Sequence, residues 1–130
     1  MKGIIIISHG CLAEGLFKTS QMFFTDQEQY TYICMDGLDS TEAFCEKMKE
    51  KISEVDTGEG VIILCDLLFG SPFNCAARIL DEKCELISGV NLSILLELLG
   101  LRANSEIDID EIVKVGKDGI CNFRKLTRKE

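Results

Sequence analysis

Two uninterrupted apolar runs, Gly3–Ser8 (GIIIIS) and Gly60–Cys65 (GVIILC), constrain the fold of this chain more than any other feature. Neither alternates with polar residues, so each reads as a strand covered on both faces, as in a parallel sheet with helices above and below. The segments between them agree. Leu12, Ala13, Leu16, Phe17, Ser20, Phe23 and Phe24 fall on a helical stripe. Tyr30–Met35 reads as a second strand, and Ser40 is placed to cap a helix carrying Phe44, Met48, Ile52 and Val55 on one face. Ser71–Leu80 predicts another helix, Cys84–Ser88 a short strand, and Asn91–Leu101 an almost wholly apolar helix.

Four βα units with short connections predict an α/β domain with a mostly parallel central sheet and helices on both faces. The rhythm then breaks. Asp108–Val115 predicts one more helix, Lys117–Asp118–Gly119 a turn, and Ile120–Leu126 a last strand. Because it follows a turn rather than a long crossover, that strand is expected to be antiparallel and at an edge. The expected sheet thus has four parallel strands plus a C-terminal antiparallel edge strand. No repeat, linker or low-complexity segment appears, and residues 1–130 read as a single domain.

Composition narrows the function. The chain carries 22 acidic against 14 basic residues, a net charge of −8. No basic stripe precedes the short Arg124–Lys125…Arg128–Lys129 tail, which reads as a solvated end. Nucleic acid and anionic membranes are therefore poor partners, while a basic protein would be steered toward this one. No apolar stretch reaches the length of a membrane span, and Gly3–Ile7 is too short for a signal peptide, so a cytoplasmic protein without membrane insertion is expected. The seven cysteines are odd in number and lack metal-site spacing, which points to buried free thiols in a reducing compartment and to no metal centre.

Chemistry is expected outside the carboxyl ends of the strands, where the strand order reverses. The first strand ends in Ser8–His9–Gly10 and the third in Asp66–Leu67–Leu68–Phe69–Gly70–Ser71–Pro72. If these strands are neighbours, the only histidine faces a carboxylate across the crevice. A carboxylate bonded to one imidazole nitrogen fixes the tautomer and leaves the other nitrogen as a nucleophile. Ser71 suits a helix cap and Pro72 the first helical position, so the positive end of a helix dipole would point at an incoming phosphoryl group. Gly10 would let the backbone approach the phosphoryl oxygens. Taken singly, a lone histidine, an aspartate after a strand and a Gly-Ser-Pro cap are ordinary structural features; their convergence at one sheet edge points to an anion or phosphoryl site. No nucleotide fingerprint is present, so phosphate would have to arrive on another protein. Leu12, Phe17, Leu67, Leu68 and Phe69 are the apolar residues expected to form the surface that such a partner touches.

An apolar strand ending S-H-G, the D-x-x-x-G-S-P-F-N stretch from Asp66 to Asn74, and I-S-G-V-N at Ile87–Asn91 together resemble the mannose-family enzyme IIA domains of the sugar phosphotransferase system (PTS), over nearly the whole chain. The resemblance implies that His9 accepts phosphate from the carrier HPr and passes it to the IIB component, which phosphorylates sugar entering through the IIC and IID membrane proteins. It implies that Asp66 orients His9, that Ser71 contacts the phosphoryl group, that no cofactor is used, and that two copies pair by exchanging the last strand. Two positions depart from the family pattern: Phe69 stands where a glycine is common, and Leu67 where some members carry threonine. Two other readings stay open, the phosphocarrier subunit of dihydroxyacetone kinase and a regulatory module in which His9 is vestigial.

Overall fold

The isoleucine run forms β1 (Gly3–His9), a central strand of a four-stranded sheet. The computed structural model describes residues 1–103 and 107–128; Lys129 of the basic tail lies outside the described residues. After β1 come α1 (Leu12–Ser20), β2 (Tyr30–Met35), α2 (Thr41–Val55), β3 (Val61–Cys65), α3 (Ser71–Ile79), β4 (Glu85–Ser88), α4 (Leu92–Leu101), α5 (Ile109–Asp118) and α6 (Phe123–Thr127). The strand order is β2-β1-β3-β4, and every pairing is parallel. The α/β architecture read from the two apolar runs is present.

Side-chain alternation along β1 and β3 divides the core. Ile5, Ile7, Ile63 and Cys65 pack on Phe44 and Met48 of α2 and on Cys75 and Ala76 of α3. Ile4, Ile6, Ile62 and Leu64 pack on Ala13 of α1, Leu95 and Leu98 of α4 and Ile112 of α5. Each fully buried isoleucine contributes about 1.5–3 kcal/mol, whereas exposed ion pairs such as Lys18–Glu14 are screened by solvent and add little. The sheet core therefore decides the fold. It also positions the site: β1 runs into α1 on one face, and its neighbour β3 runs into α3 on the other. Their carboxyl ends open a crevice between them, as a reversal of winding requires.

Helix starts follow the capping residues. The Ser40 hydroxyl accepts from Ala43 N–H at 3.1 Å, and the Asn91 side-chain oxygen accepts from Ile94 N–H at 2.9 Å. Helix α1 stops earlier than its stripe suggests. The buried Ser20 hydroxyl donates to the Phe17 carbonyl and bonds the Tyr30 hydroxyl, and Phe23 and Phe24 lie beyond the helix.

The end of the chain requires correction. Lys117 and Asp118 are the last residues of α5 rather than a turn, and Asp118 pairs with Lys114 one helical turn away at 2.8 Å. Ile120–Leu126 is no antiparallel edge strand. Asn122 caps α6 by accepting from Arg124 N–H at 3.0 Å, and Leu126 N–H bonds the Asn122 carbonyl. Ile120, Phe123 and Leu126 recur every third residue, a helical spacing rather than a strand's, and all three are mostly exposed. The thiol expectation holds for Cys45, Cys65, Cys75 and Cys84, which are buried, while Cys11 and Cys121 are exposed. Among the described residues no helix is long and apolar enough to cross a membrane.

Since the segment after Gly119 joins no sheet, a chain ending at Gly119 should keep its core. At concentrations low enough for both chains to be monomeric, its urea unfolding free energy is expected within about 1 kcal/mol of the intact protein, as for other changes outside the packed interior. A larger loss would place the tail in the core.

Candidate functional site

The Asp66 carboxylate joins the ends of β1 and β3. Its Oδ2 accepts from the His9 backbone N–H at 3.0 Å and lies 2.9 Å from His9 Nδ1. Its Oδ1 accepts from Leu67 N–H at 2.8 Å and from the Cys65 thiol at 3.5 Å. Burial pushes the Asp66 carboxyl up, but the hydrogen bonds from the His9 ring, the His9 backbone and the Cys65 thiol outweigh it and hold the group below its ordinary value. Burial also pushes the Cys65 thiol up to about 12, so it remains a donor. An ionised carboxylate only accepts, so Nδ1 carries the proton and the Nε2 lone pair is free. Among the described residues Nε2 has no hydrogen-bond partner. The His9 side chain is 46% exposed and that of Asp66 only 12%, which leaves the orienting group covered and the reactive edge open.

Gly70 closes the other side of the ring. A Cβ built there would sit 2.7 Å from His9 Cε1 and 3.3 Å from Nε2. Gly70, rather than Ser71, is the N-cap of α3; Ser71 and Pro72 are its first residues. Asn74 N–H bonds the Gly70 carbonyl at 2.9 Å, so α3, with the unpartnered N–H groups of its first turn, begins at the glycine that packs beside the imidazole. Ser71 is exposed, at the position after the glycine that touches the ring. Gly10 takes a left-handed backbone (φ 56°), and its N–H is committed to the Met35 carbonyl of β2 at 2.8 Å. The buried Ser8 hydroxyl accepts from Ala13 N–H at 2.7 Å and ties β1 to the first turn of α1.

The loop between Asp66 and Gly70 is strained. Gly70 N–H bonds the Leu67 carbonyl at 3.3 Å, closing a turn in which Phe69 adopts φ 62°. Glycine is the usual residue where a turn needs positive φ, and a bulky side chain there costs about 1–3 kcal/mol. Two contacts offset this. The Phe69 ring meets Phe73 edge-on (5.6 Å between centroids, 83°), an arrangement contributing about 0.5–1.5 kcal/mol. Asn74 Nδ2 donates to the Phe69 carbonyl at 3.2 Å.

Of the apolar residues expected around the site, Leu12, Leu67, Leu68 and Phe69 are exposed. Phe17 instead packs its ring on Tyr30 and Tyr32, 4.6 and 4.9 Å away, and is partly buried. Clefts of about 420 and 510 Å³ elsewhere on the molecule are lined by Lys2, Lys83 and Arg102 and by Ser40, Cys45 and Arg78 rather than by His9. Among the described residues no group of three or more His, Cys, Asp or Glu is placed to hold a metal ion. Sequence reading missed Cys65 and Gly70. Gly70 left a signal in the motif itself, whereas Cys65 looked like the last residue of an apolar strand.

Comparison with known proteins matches residues 3–115 to the family described as the PTS system fructose IIA component. The chain is 37% identical over 123 residues to the mannose-specific EIIAB component of Escherichia coli, covering 90% of this chain but only 38% of that protein. It is 30% identical to the fructose-specific EIIA component of Bacillus subtilis, over 78% of this chain and 71% of that one. Among solved structures, a PTS IIA protein associated with the fucose utilization operon of Streptococcus pneumoniae superimposes with a TM-score of 0.89 at 27% identity, covering 98% of this chain and 96% of that one.

The geometry makes two predictions. Gly70→Ala should push the imidazole off Asp66, seen as a shift of the Nδ1 resonance in ¹⁵N spectra of the single histidine; an unmoved resonance would show that the loop yields instead. Asp66 is held below its ordinary value, so its contribution to stability is present above about pH 4 and is lost as pH falls through the lowered value. The gap in unfolding free energy between wild type and Asp66→Asn is therefore expected to narrow on acidification below pH ~4, and a gap independent of pH would contradict this.

Proposed function

The chain belongs to the mannose- and fructose-type enzyme IIA family of the sugar PTS, and on that premise we propose that it is a phosphoryl carrier acting through His9. It takes the group from phosphorylated HPr and passes it to a IIB component, which works with IIC and IID proteins in sugar uptake. One observation carries the reading: a half-exposed imidazole bonded at Nδ1 to a covered carboxylate, with Nε2 open.

The lone pair on Nε2 attacks phosphorus, and the donor's bond to phosphorus breaks with its electron pair leaving on the donor. Nδ1 keeps its proton, and the ring becomes positive. Asp66 is already in hydrogen-bond contact with that charge, so no reorganisation is needed when it appears. The α3 N-terminus, with Ser71 as its first residue, faces the transferred oxygens. The same contacts serve the reverse step toward IIB.

We further propose that two copies associate through the tail. Ile120, Phe123 and Leu126 are 75%, 72% and 69% exposed, a cluster of large apolar side chains that a second chain would cover. Sedimentation of the intact and Gly119-terminated chains tests this: a dimer that becomes monomer supports it, and a dimer that persists overturns it.

Incubation with phospho-HPr should label His9 alone, with acid-labile, base-stable phosphate, and His9→Ala should fold and take none. Phosphate surviving acid, or mapping to Asp66, would refute the carrier reading. Asp66→Asn should slow transfer about tenfold or more. The hydrogen bond it loses is charged and contributes about 1.5–3 kcal/mol, and about 1.4 kcal/mol is a factor of ten in rate.

A further inference from the structure

Phe69 is a bulky residue in a backbone conformation suited to glycine (φ 62°), and its side chain is 73% exposed. The turn itself gains nothing from the phenyl group. The Leu67–Gly70 hydrogen bond and the Asn74 bond to the Phe69 carbonyl involve only main-chain atoms of residues 67, 69 and 70, and glycine would provide them without strain. Among the described residues the ring makes one aromatic contact, edge-on to Phe73, a residue of α3 packed against the buried core. Phe73 thus props an aromatic side chain up from the surface, three residues beyond the carboxylate that orients His9.

The ring has apolar company. Leu67 (59% exposed) and Leu68 (52%) in the same loop after β3, and Leu12 (48%) at the start of α1 just past β1, form an exposed apolar collar at the sheet edge that carries His9. A collar that stands out into solvent suits a second protein surface better than a small molecule, which needs a concave pocket. We infer that Phe69 is a specificity-determining anchor, a ring held out in strained backbone to enter an apolar recess on the protein that donates the phosphoryl group. This rests on the carrier reading above. The chain's net charge of −8 favours a basic face around that recess, so that charge steers the encounter and the ring fixes the docked pose.

The test uses two variants that accept a left-handed backbone and lack the ring, Phe69→Gly and Phe69→Asn. Each is assayed with phospho-HPr and with phosphoramidate, a small donor with no surface to dock. In both, KM for phospho-HPr is expected to rise at least tenfold with little change in kcat, and transfer from phosphoramidate should fall far less than kcat/KM with the protein donor. Phe69→Gly should unfold at the same or a higher urea concentration than wild type, which excludes a damaged fold. An unchanged KM in both variants overturns the anchor and leaves the carrier reading standing. So does a parallel fall in kcat and in the phosphoramidate rate, since the loop would then be acting on His9 itself. A wild-type chain that takes phosphate from phosphoramidate but none from phospho-HPr overturns the carrier reading, and the anchor with it.

Discussion

Everything at the sheet edge depends on one carboxylate with no acceptor capacity left idle. Asp66 takes four donors, from the His9 ring, the His9 main chain, Leu67 and Cys65. Two of these come from β1 and two from β3 and its exit, so the group fastens the strands across which the chain reverses direction. Its position admits one imidazole tautomer, and that tautomer decides which nitrogen meets solvent. The strand junction and the imidazole tautomer thus depend on the same three-atom group.

Adjacent residues in the loop obey opposite rules. At position 70 any side chain comes at the expense of the imidazole, because a Cβ would sit 2.7 Å from His9 Cε1. Position 69 faces outward and carries a large one despite its backbone. Identity at the first is dictated from within the molecule. At the second the interior imposes only a mild penalty, and that is where members of one family can diverge without disturbing the chemistry.

The strands and the crevice were legible in the sequence because burial on both faces leaves an unmistakable run of β-branched residues. His9 and Asp66 were legible because they end two such runs. What escaped depended on geometry that spacing does not encode. Ser71 and Gly70 exchanged roles at the start of α3, a shift of one position that capping preferences do not resolve. Phe17 lies on the expected stripe, but the orientation of α1 turns it toward Tyr30 and Tyr32. The last segment misled because Ile120, Phe123 and Leu126 are apolar enough for a strand, while the capping side chain of Asn122 starts a helix instead.

Four consecutive isoleucines are nearly interchangeable, so a slip of β1 by one place would present the same apolar surface to each helical layer. Hydrophobicity alone cannot number this strand. The stop is its polar tip, where the Ser8 hydroxyl meets the start of α1 and the main chain of residue 9 meets Asp66. A slip toward the core would bury an imidazole, a slip outward would carry Ser8 into solvent, and either would strand both hydrogen bonds. The pair proposed to carry the phosphoryl group, His9 and Asp66, therefore also serves as the alignment mark by which the sheet finds its register.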